Sequence, residues 1–147
     1  MSGTGGVLRD EYGNWIVGFA KNLGHGSNNA AEFWGIKTGL RIALERGFTK
    51  VEVKSDSLFA VSTLNNKYVA NRSHSSIVTL CRSLIRWFEK IVLQHAFREA
   101  NEFTHTLAKH GTIMEEPSVV YDFVPFSVLS FFFVPYVIFF LCFLFLL

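Results

Sequence analysis

The feature that most constrains this fold is the separation of charged from apolar residues along the chain. The 31 residues from Pro117 to Leu147 include 24 apolar or aromatic residues, one acid (Asp122) and no lysine or arginine. All 14 basic residues and 11 of the 12 acids of the 147-residue chain therefore precede Pro117. Residues 1–116 are predicted to form one charged domain, because this is an ordinary domain length. An apolar segment, 117–147, follows it.

Two interpretations of the apolar segment stay open. The run 124–147 exceeds the roughly 20 apolar residues that a membrane-spanning helix needs, so a C-terminal membrane anchor is one interpretation. Pro125 and Pro135 oppose it, because proline removes a helical hydrogen bond. The residues after Pro135 would form a helix of about 18 Å, which is shorter than the ~30 Å hydrocarbon core. The favoured interpretation is an abnormal domain end, folded as an apolar helix or tail.

Overall composition excludes several other classes of protein. Half of the residues are hydrophobic, which excludes a disordered chain. Two cysteines exclude a disulfide scaffold and a cysteine-rich zinc module. The first residues contain no apolar stretch typical of a secretory signal. The predicted location is the cytoplasm or nucleus, or a membrane if the tail is an anchor.

Hydrophobic periodicity before residue 117 predicts the order β-β-α-β-α-α-β-α, a mixed sheet with helices packed on it. The first helix is expected to begin after Asn28 or Asn29 as its N-cap and to end at Gly47. The three tryptophans are predicted to be core residues. The predicted strands are 5–9, 15–20, 51–53 and 91–97, and the predicted helices are 30–46, 57–65, 75–90 and 100–109.

Two carboxylates stand where α/β proteins place functional groups. Glu32 is predicted in the first turn of a helix, and Asp56 at the carboxyl end of a strand. Each position also has a structural explanation. An acid in the first helical turn interacts favourably with the helix dipole, and an aspartate after a strand is often an N-cap. Position alone leaves both explanations open.

Three sequence blocks resemble the RNase H-like domain of plant and retrotransposon-derived proteins. The first is GGVLRD-x-x-G-x-W, from Gly5 to Trp15, and the second is AEFWGIKTGLRIALERGFTKVEVKSDS, from Ala31 to Ser57. The third is HAFREANEFTHTLAKHG, from His95 to Gly111. They agree with the family in order and spacing, and the resemblance covers residues 3–132. It implies an α/β fold with a mixed sheet flanked by helices.

The resemblance also implies an activity and a set of site residues. The family cleaves the RNA strand of RNA–DNA hybrids with four carboxylates and two Mg²⁺ ions, which clamp the attacking water and the leaving oxygen. Glu32 matches the second carboxylate and Asp56 the third, so both are expected Mg²⁺ ligands. His95 matches a histidine on the catalytic loop, and Asn28 and Asn29 match a pair that contacts the hybrid.

Two departures from the family pattern predict a defective domain. The first carboxylate belongs to a strand before Gly5, which this chain lacks, and His105 replaces the fourth. That strand is central in the family's five-stranded sheet, so two neighbouring strand edges are expected to lose their partners. With two carboxylates left, Mg²⁺ binding should be weak and cleavage lost or impaired. The alternative is a non-catalytic nucleic-acid-binding relic, and the oligomeric state is not predicted.

Overall fold

The polypeptide begins with a β-hairpin that is closed by a side-chain-capped turn. The Asp10 carboxylate accepts hydrogen bonds from the backbone N–H groups of Tyr12 and Asn14, at 3.0 and 2.8 Å. Gly13 adopts φ = +82°, a left-handed conformation that glycine tolerates without steric cost. The two strands of this hairpin are Ser2–Arg9 (β1) and Trp15–Gly24 (β2), and they pair antiparallel.

The computed structural model describes residues 2–65, 74–97, 102–126 and 143–146. In this part of the chain the strands form one six-stranded sheet in the order β4-β3-β6-β1-β2-β5. The predicted element order is confirmed as far as the fourth helix. The remaining elements are α1 (Asn28–Glu45), β3 (Lys50–Ser55), α2 (Leu58–Leu64), α3 (Ser75–Ile85), β4 (Lys90–His95), α4 (Glu102–Ile113), β5 (Ser118–Tyr121) and β6 (Phe143–Leu146).

Small residues let helices pack closely on both faces of β1. A Cβ atom on Gly35 of α1 would lie 2.5 Å from the Thr4 hydroxyl oxygen. On the other face, a Cβ on Gly3 would lie 2.6 Å from the carbonyl oxygen of Ala108 in α4. Neighbouring residues of a strand point to opposite faces, so the sheet lies between α1 and α4. The α1 side holds the main core, which includes Phe19, Phe33 and Leu40.

Several element boundaries differ from the prediction. The N-cap of α1 is Ser27, whose hydroxyl accepts the Ala30 N–H, so Asn28 and Asn29 are the first helical residues. Three cap-type residues stand in a row here, and propensity does not choose between them. Gly47 adopts φ = +82° just beyond α1, as its predicted role at the helix end requires.

The tryptophan prediction was wrong for Trp87. This residue follows α3, which ends at Ile85, and its side chain is 76% exposed. Trp15 and Trp34 are partly buried, and the Trp15 indole N–H donates to the Tyr121 carbonyl at 3.2 Å. The helix predicted to continue to residue 90 would have placed Trp87 on a packed face.

The predicted loss of two strand partners was also wrong. The C-terminal strand β6 lies between β1 and β3, parallel to β1 and antiparallel to β3. It pairs with Val7–Arg9 on one side and with Val51–Lys54 on the other. We call the space between these two segments the strand seat. The last part of the apolar tail therefore completes the sheet.

The structure describes only the two ends of the apolar tail, so the two interpretations can be compared with it only there. Residues 118–121 and 143–146 form strands, and the segment 127–142, where most of a spanning helix would lie, is outside the described residues. Within the described ranges, no helix has the length and apolar character that a membrane crossing requires.

Cys81 provides a test of the packing around α3. Its thiol is buried and donates to the Phe33 carbonyl at 3.4 Å, and burial raises the thiol pKa to about 12. Thiolate is the reactive form, so at pH 8 only about one Cys81 in 10⁴ should be reactive. We expect iodoacetamide to leave Cys81 unmodified in the native protein and to modify it in denaturing urea, as measured by peptide mass mapping. Equal labelling in both conditions would contradict the packing.

Candidate metal and nucleic-acid site

Ser55 at the end of β3 is the centre of the candidate site. Val51, Val53 and Ser55 alternate along β3 and are all fully buried. The Ser55 hydroxyl donates to Glu32 Oε2 at 3.3 Å and accepts the Ser57 N–H at 3.1 Å. Its proton is thereby directed at the Glu32 carboxylate. Sequence analysis did not select Ser55, although its place beside Asp56 was a usable signal.

The structure corrects the predicted position of Glu32 in α1. Because α1 begins at Asn28, Glu32 is its fifth residue and lies beyond the first turn. The first turn itself contains no acidic residue. This corrects the predicted placement. The helix dipole acts on charges within the first turn, so it explains Glu32 less well than expected. The Glu32 carboxylate is half-buried and faces the end of β3.

Asp56 and His95 complete the cluster. Strands β3 and β4 are parallel, with Ser55 in register with His95, so their carboxyl ends meet at one edge of the sheet. The His95 ring donates from Nε2 to the backbone carbonyl of Asp56 at 3.2 Å. Ser55 thus connects Glu32 on α1 to the strand end where Asp56 and His95 lie. In this conformation His95 contacts the Asp56 backbone.

Asn28 and Asn29 lie exposed at the start of α1, beside this cluster. Asn28 and Glu32 are four residues apart, so they share one face of the helix. The Ser27 cap oxygen is 3.3 Å from Nε2 of the buried His74, at the start of α3. This contact fixes the helix start against the rest of the domain. The two asparagines are thus presented to solvent from an anchored segment.

Basic and aromatic side chains form two further surface groups that sequence analysis missed. Lys21 and Lys37 lie 5.0 and 4.6 Å from the centre of the Trp34 ring. Burial, and then the nearby charges of Lys37 and Arg41, lowers the pKa of Lys21. Trp34 and Lys37 are three residues apart on α1, whereas Lys21 belongs to β2, so the packing of α1 on the sheet brings Lys21 to them.

The second group surrounds Trp87. The exposed Trp87 ring, Arg86 and Ser83 line a shallow concavity of about 400 Å³. An arginine next to an exposed aromatic ring suits stacking on bases and contact with phosphate. The signal in the sequence was the Arg86-Trp87 pair, which the overlong helix prediction concealed.

The donor atoms at the cluster suit a hard cation such as Mg²⁺, but there are too few carboxylates for two such cations. Glu32 and Asp56 offer carboxylate oxygens, which Mg²⁺ prefers. Among the described side chains, no group of three or more His, Cys, Asp or Glu residues is arranged to hold a metal. His105 belongs to α4, and its side chain is outside the described set. A two-metal centre is therefore not assembled from the described residues.

Replacing Ser55 with alanine tests the centre of the cluster. The variant leaves the Ser57 N–H and one Glu32 oxygen without their partner, so we expect a loss of about 2 kcal/mol in unfolding free energy. The control is Ser83→Ala, which removes an exposed hydroxyl that donates to the Thr79 carbonyl and should cost less than about 0.5 kcal/mol. Urea unfolding measures both. Equal stability of the two variants would show that the Ser55 contacts are unimportant.

The sheet, its flanking helices and this carboxylate edge define an RNase H-like domain. The model of the reverse transcriptase-like family matches residues 1–111. The chain is 35% identical over 127 residues to an Arabidopsis thaliana protein named "Putative ribonuclease H protein". That alignment covers 85% of this chain and 20% of the relative, so the chain spans about a fifth of its length. The chain belongs to the reverse transcriptase-like family, whose domains have the RNase H-like fold.

Two solved structures support the fold. RNase H1 from the halophilic archaeon Halobacterium salinarum superposes with a TM-score of 0.71 at 24% identity, covering 74% of this chain and 83% of that one. The N-terminal RNase H domain of a Mycobacterium tuberculosis protein gives a TM-score of 0.61 at 20% identity, covering 76% and 90%. At these identities the likeness establishes the architecture alone.

Proposed function

We propose that this chain is an RNase H-like domain that binds RNA–DNA hybrids and is deficient in cleaving them. The observation that carries the proposal is the cluster of Glu32, Ser55, Asp56 and His95 beside the exposed Asn28 and Asn29. Family membership makes nucleic acid the expected partner. The 2′-hydroxyl of RNA would distinguish the two strands of a hybrid, and amide side chains can donate to it and accept from it.

Electrostatics predict that binding is modest and sensitive to salt. The chain has a formal net charge of +2, so it cannot neutralise many phosphates. Lys21, Lys37 and Arg86 are basic residues beside aromatic rings and are candidates for such contacts. Each neutralised phosphate adds about −0.7 to −0.9 to the slope of log affinity against log salt concentration. With these three residues, a slope of about −2 to −3 is expected.

The deficiency in cleavage follows from the donor count. Glu32 and Asp56 would hold one Mg²⁺ ion weakly, with water completing its shell. Phosphodiester hydrolysis in this family uses two ions, which activate water and stabilise the leaving oxygen. Two carboxylates leave the second ion without anionic protein ligands in the described part of the chain. The domain therefore retains the surface of a hybrid nuclease without its full metal centre.

Fluorescence anisotropy with a labelled RNA–DNA hybrid tests the binding proposal. The double variant Asn28→Ala/Asn29→Ala should bind the hybrid about fivefold to tenfold more weakly than the unmodified chain, a loss of about 1–1.4 kcal/mol. The control is Thr49→Ala, an exposed position beyond the far end of α1. A duplex DNA of the same sequence should bind more weakly than the hybrid. The proposal is rejected if the unmodified chain binds neither duplex, or if the double variant binds as the control does.

A further inference from the structure

The strand seat is built so that its occupant is replaceable. Strand β6 contributes four residues and pairs with three residues of β1 and four of β3. Neither neighbour belongs to the same hairpin as β6. The connection from Tyr121 to Phe143 contains 21 residues, so β6 reaches the seat from far along the chain. Without β6, the sheet divides into β2 with β1 and β5 on one side, and β3 with β4 on the other.

The strand directions on either side of the seat would also accept another strand in either orientation. Because β6 is parallel to β1 and antiparallel to β3, these two neighbours run in opposite directions. Any strand that enters the seat therefore makes one parallel and one antiparallel ladder, whichever way it runs. Backbone pairing alone does not select the present occupant. An empty seat would expose two edges, which pair readily with another chain.

The length of the connection allows the strand to reach a second molecule. Twenty-one residues span at most about 70 Å when fully extended. A six-stranded sheet is only about 24 Å wide at ~4.8 Å per strand. Exchange of an identical element between protomers is a common route to dimers. The competing intramolecular strand acts at an effective concentration in the millimolar range, so exchange should be favoured at high protein concentration.

We propose that residues Phe143–Leu146 are a donor strand that a second copy of this chain can supply, so that two molecules fill each other's seats. The occupant is uncharged and extended, and the partner presents the same segment. The result is a strand-exchanged dimer in which each sheet retains the order β4-β3-β6-β1-β2-β5. Each seat stays filled, so the edges of β1 and β3 that face it are both paired.

Paired cysteine variants test the exchange and the register together. In the antiparallel ladder Glu52 is opposite Phe145, and Lys54 is opposite Phe143. The crossed pairs, 52 with 143 and 54 with 145, are two residues out of register, about 8 Å apart and beyond the ~7 Å reach of a disulfide. All variants carry Cys142→Ser, and Cys81 is kept because its buried thiol is unreactive.

One chain with a single introduced cysteine (Glu52→Cys or Lys54→Cys) is mixed with another (Phe145→Cys or Phe143→Cys). The mixture is unfolded in urea, refolded at high and at hundredfold lower concentration, and oxidised. We expect matched pairs to give at least about fivefold more covalent heterodimer than crossed pairs, with a lower yield after dilution. The chain with both Glu52→Cys and Phe145→Cys should form the same bond within one molecule at low concentration.

Each other outcome overturns the proposal. Equal yields from matched and crossed mixtures would mean random collision. A bond formed only within the double variant, at every concentration, would mean that each chain keeps its own strand. No bond in any variant would reject the pairing of β6 itself. Higher yields from the crossed pairs would reject the antiparallel pairing of β6 with β3 on which the proposed exchange depends. Sedimentation of the refolded, unsubstituted chain gives an independent measure of the dimer.

Discussion

Replacing Leu144 with proline is expected to abolish the cooperative unfolding of the full chain. Leu144 is paired with Leu8 of β1 and with Val53 of β3, at the centre of the sheet. Proline cannot donate to a ladder and is confined to edges and bulges, so a central proline should cost at least about 3 kcal/mol. A domain of this size is stable by only about 5–15 kcal/mol, and without β6 its sheet divides in two.

Urea unfolding followed by circular dichroism and by tryptophan fluorescence measures this effect. The matched control is Leu147→Pro, which places the same residue just beyond the end of β6 and should unfold nearly as the unsubstituted chain does. Coincident, sigmoidal transitions indicate a two-state domain. A Leu144→Pro chain that retains such a transition at an unchanged midpoint would show that β6 does not hold the sheet together.

The second large effect expected is a gain of hybrid cleavage when both departures from the family are repaired. The repaired chain carries His105→Asp and an added N-terminal strand with an Asp-Gly-Ser sequence, joined to β1 by a turn. Such a strand would run antiparallel to β1 and parallel to β3, which the seat permits, and would displace β6. Two further carboxylates should then allow two Mg²⁺ ions, and cleavage should rise at least about a hundredfold.

Comparison of four chains separates the contributions: the original, each single repair and the double repair. The control carries Asn in place of the added Asp, which keeps the strand and removes the ligand. Cleavage of a labelled hybrid is measured with and without Mg²⁺. Displacement of β6 is measured in the same chains carrying Glu52→Cys and Phe145→Cys, as loss of the disulfide between these positions. A double-repaired chain that loses this disulfide and still does not cleave would refute the explanation by missing carboxylates.

The sequence predicted Asp56 at the end of a strand, and the structure places it directly after β3. Asp56 and His95 follow or end short alternating strands, and parallel pairing of those strands brings their ends together. Glu32 was located by its motif, and because α1 begins at Asn28, it lies two residues deeper in the helix than expected. Ser55, which joins Glu32 to the strand end, was marked in the sequence only by its place beside Asp56.

The central strand could not be predicted because nothing local specifies it. Phe143–Leu146 is a uniform apolar run, which short-range periodicity cannot assign to a strand or a helix. Its place depends on a gap between β1 and β3, strands that precede it by 88 residues or more in the chain. The prediction that Trp87 is a core residue was wrong for a different reason. An apolar pattern continued past Ile85, whereas the helix ends there and a turn leads to β4.

Cleavage of a labelled RNA–DNA hybrid by the unmodified chain tests the central claim most directly. The assay compares the chain with Asp56→Asn in Mg²⁺, at protein concentrations where anisotropy shows the hybrid bound. We predict a bound hybrid that stays intact, with no difference between the two proteins. Nicking of the RNA strand that requires Mg²⁺ and vanishes with Asp56→Asn would contradict the account, since it would show that the two carboxylates suffice.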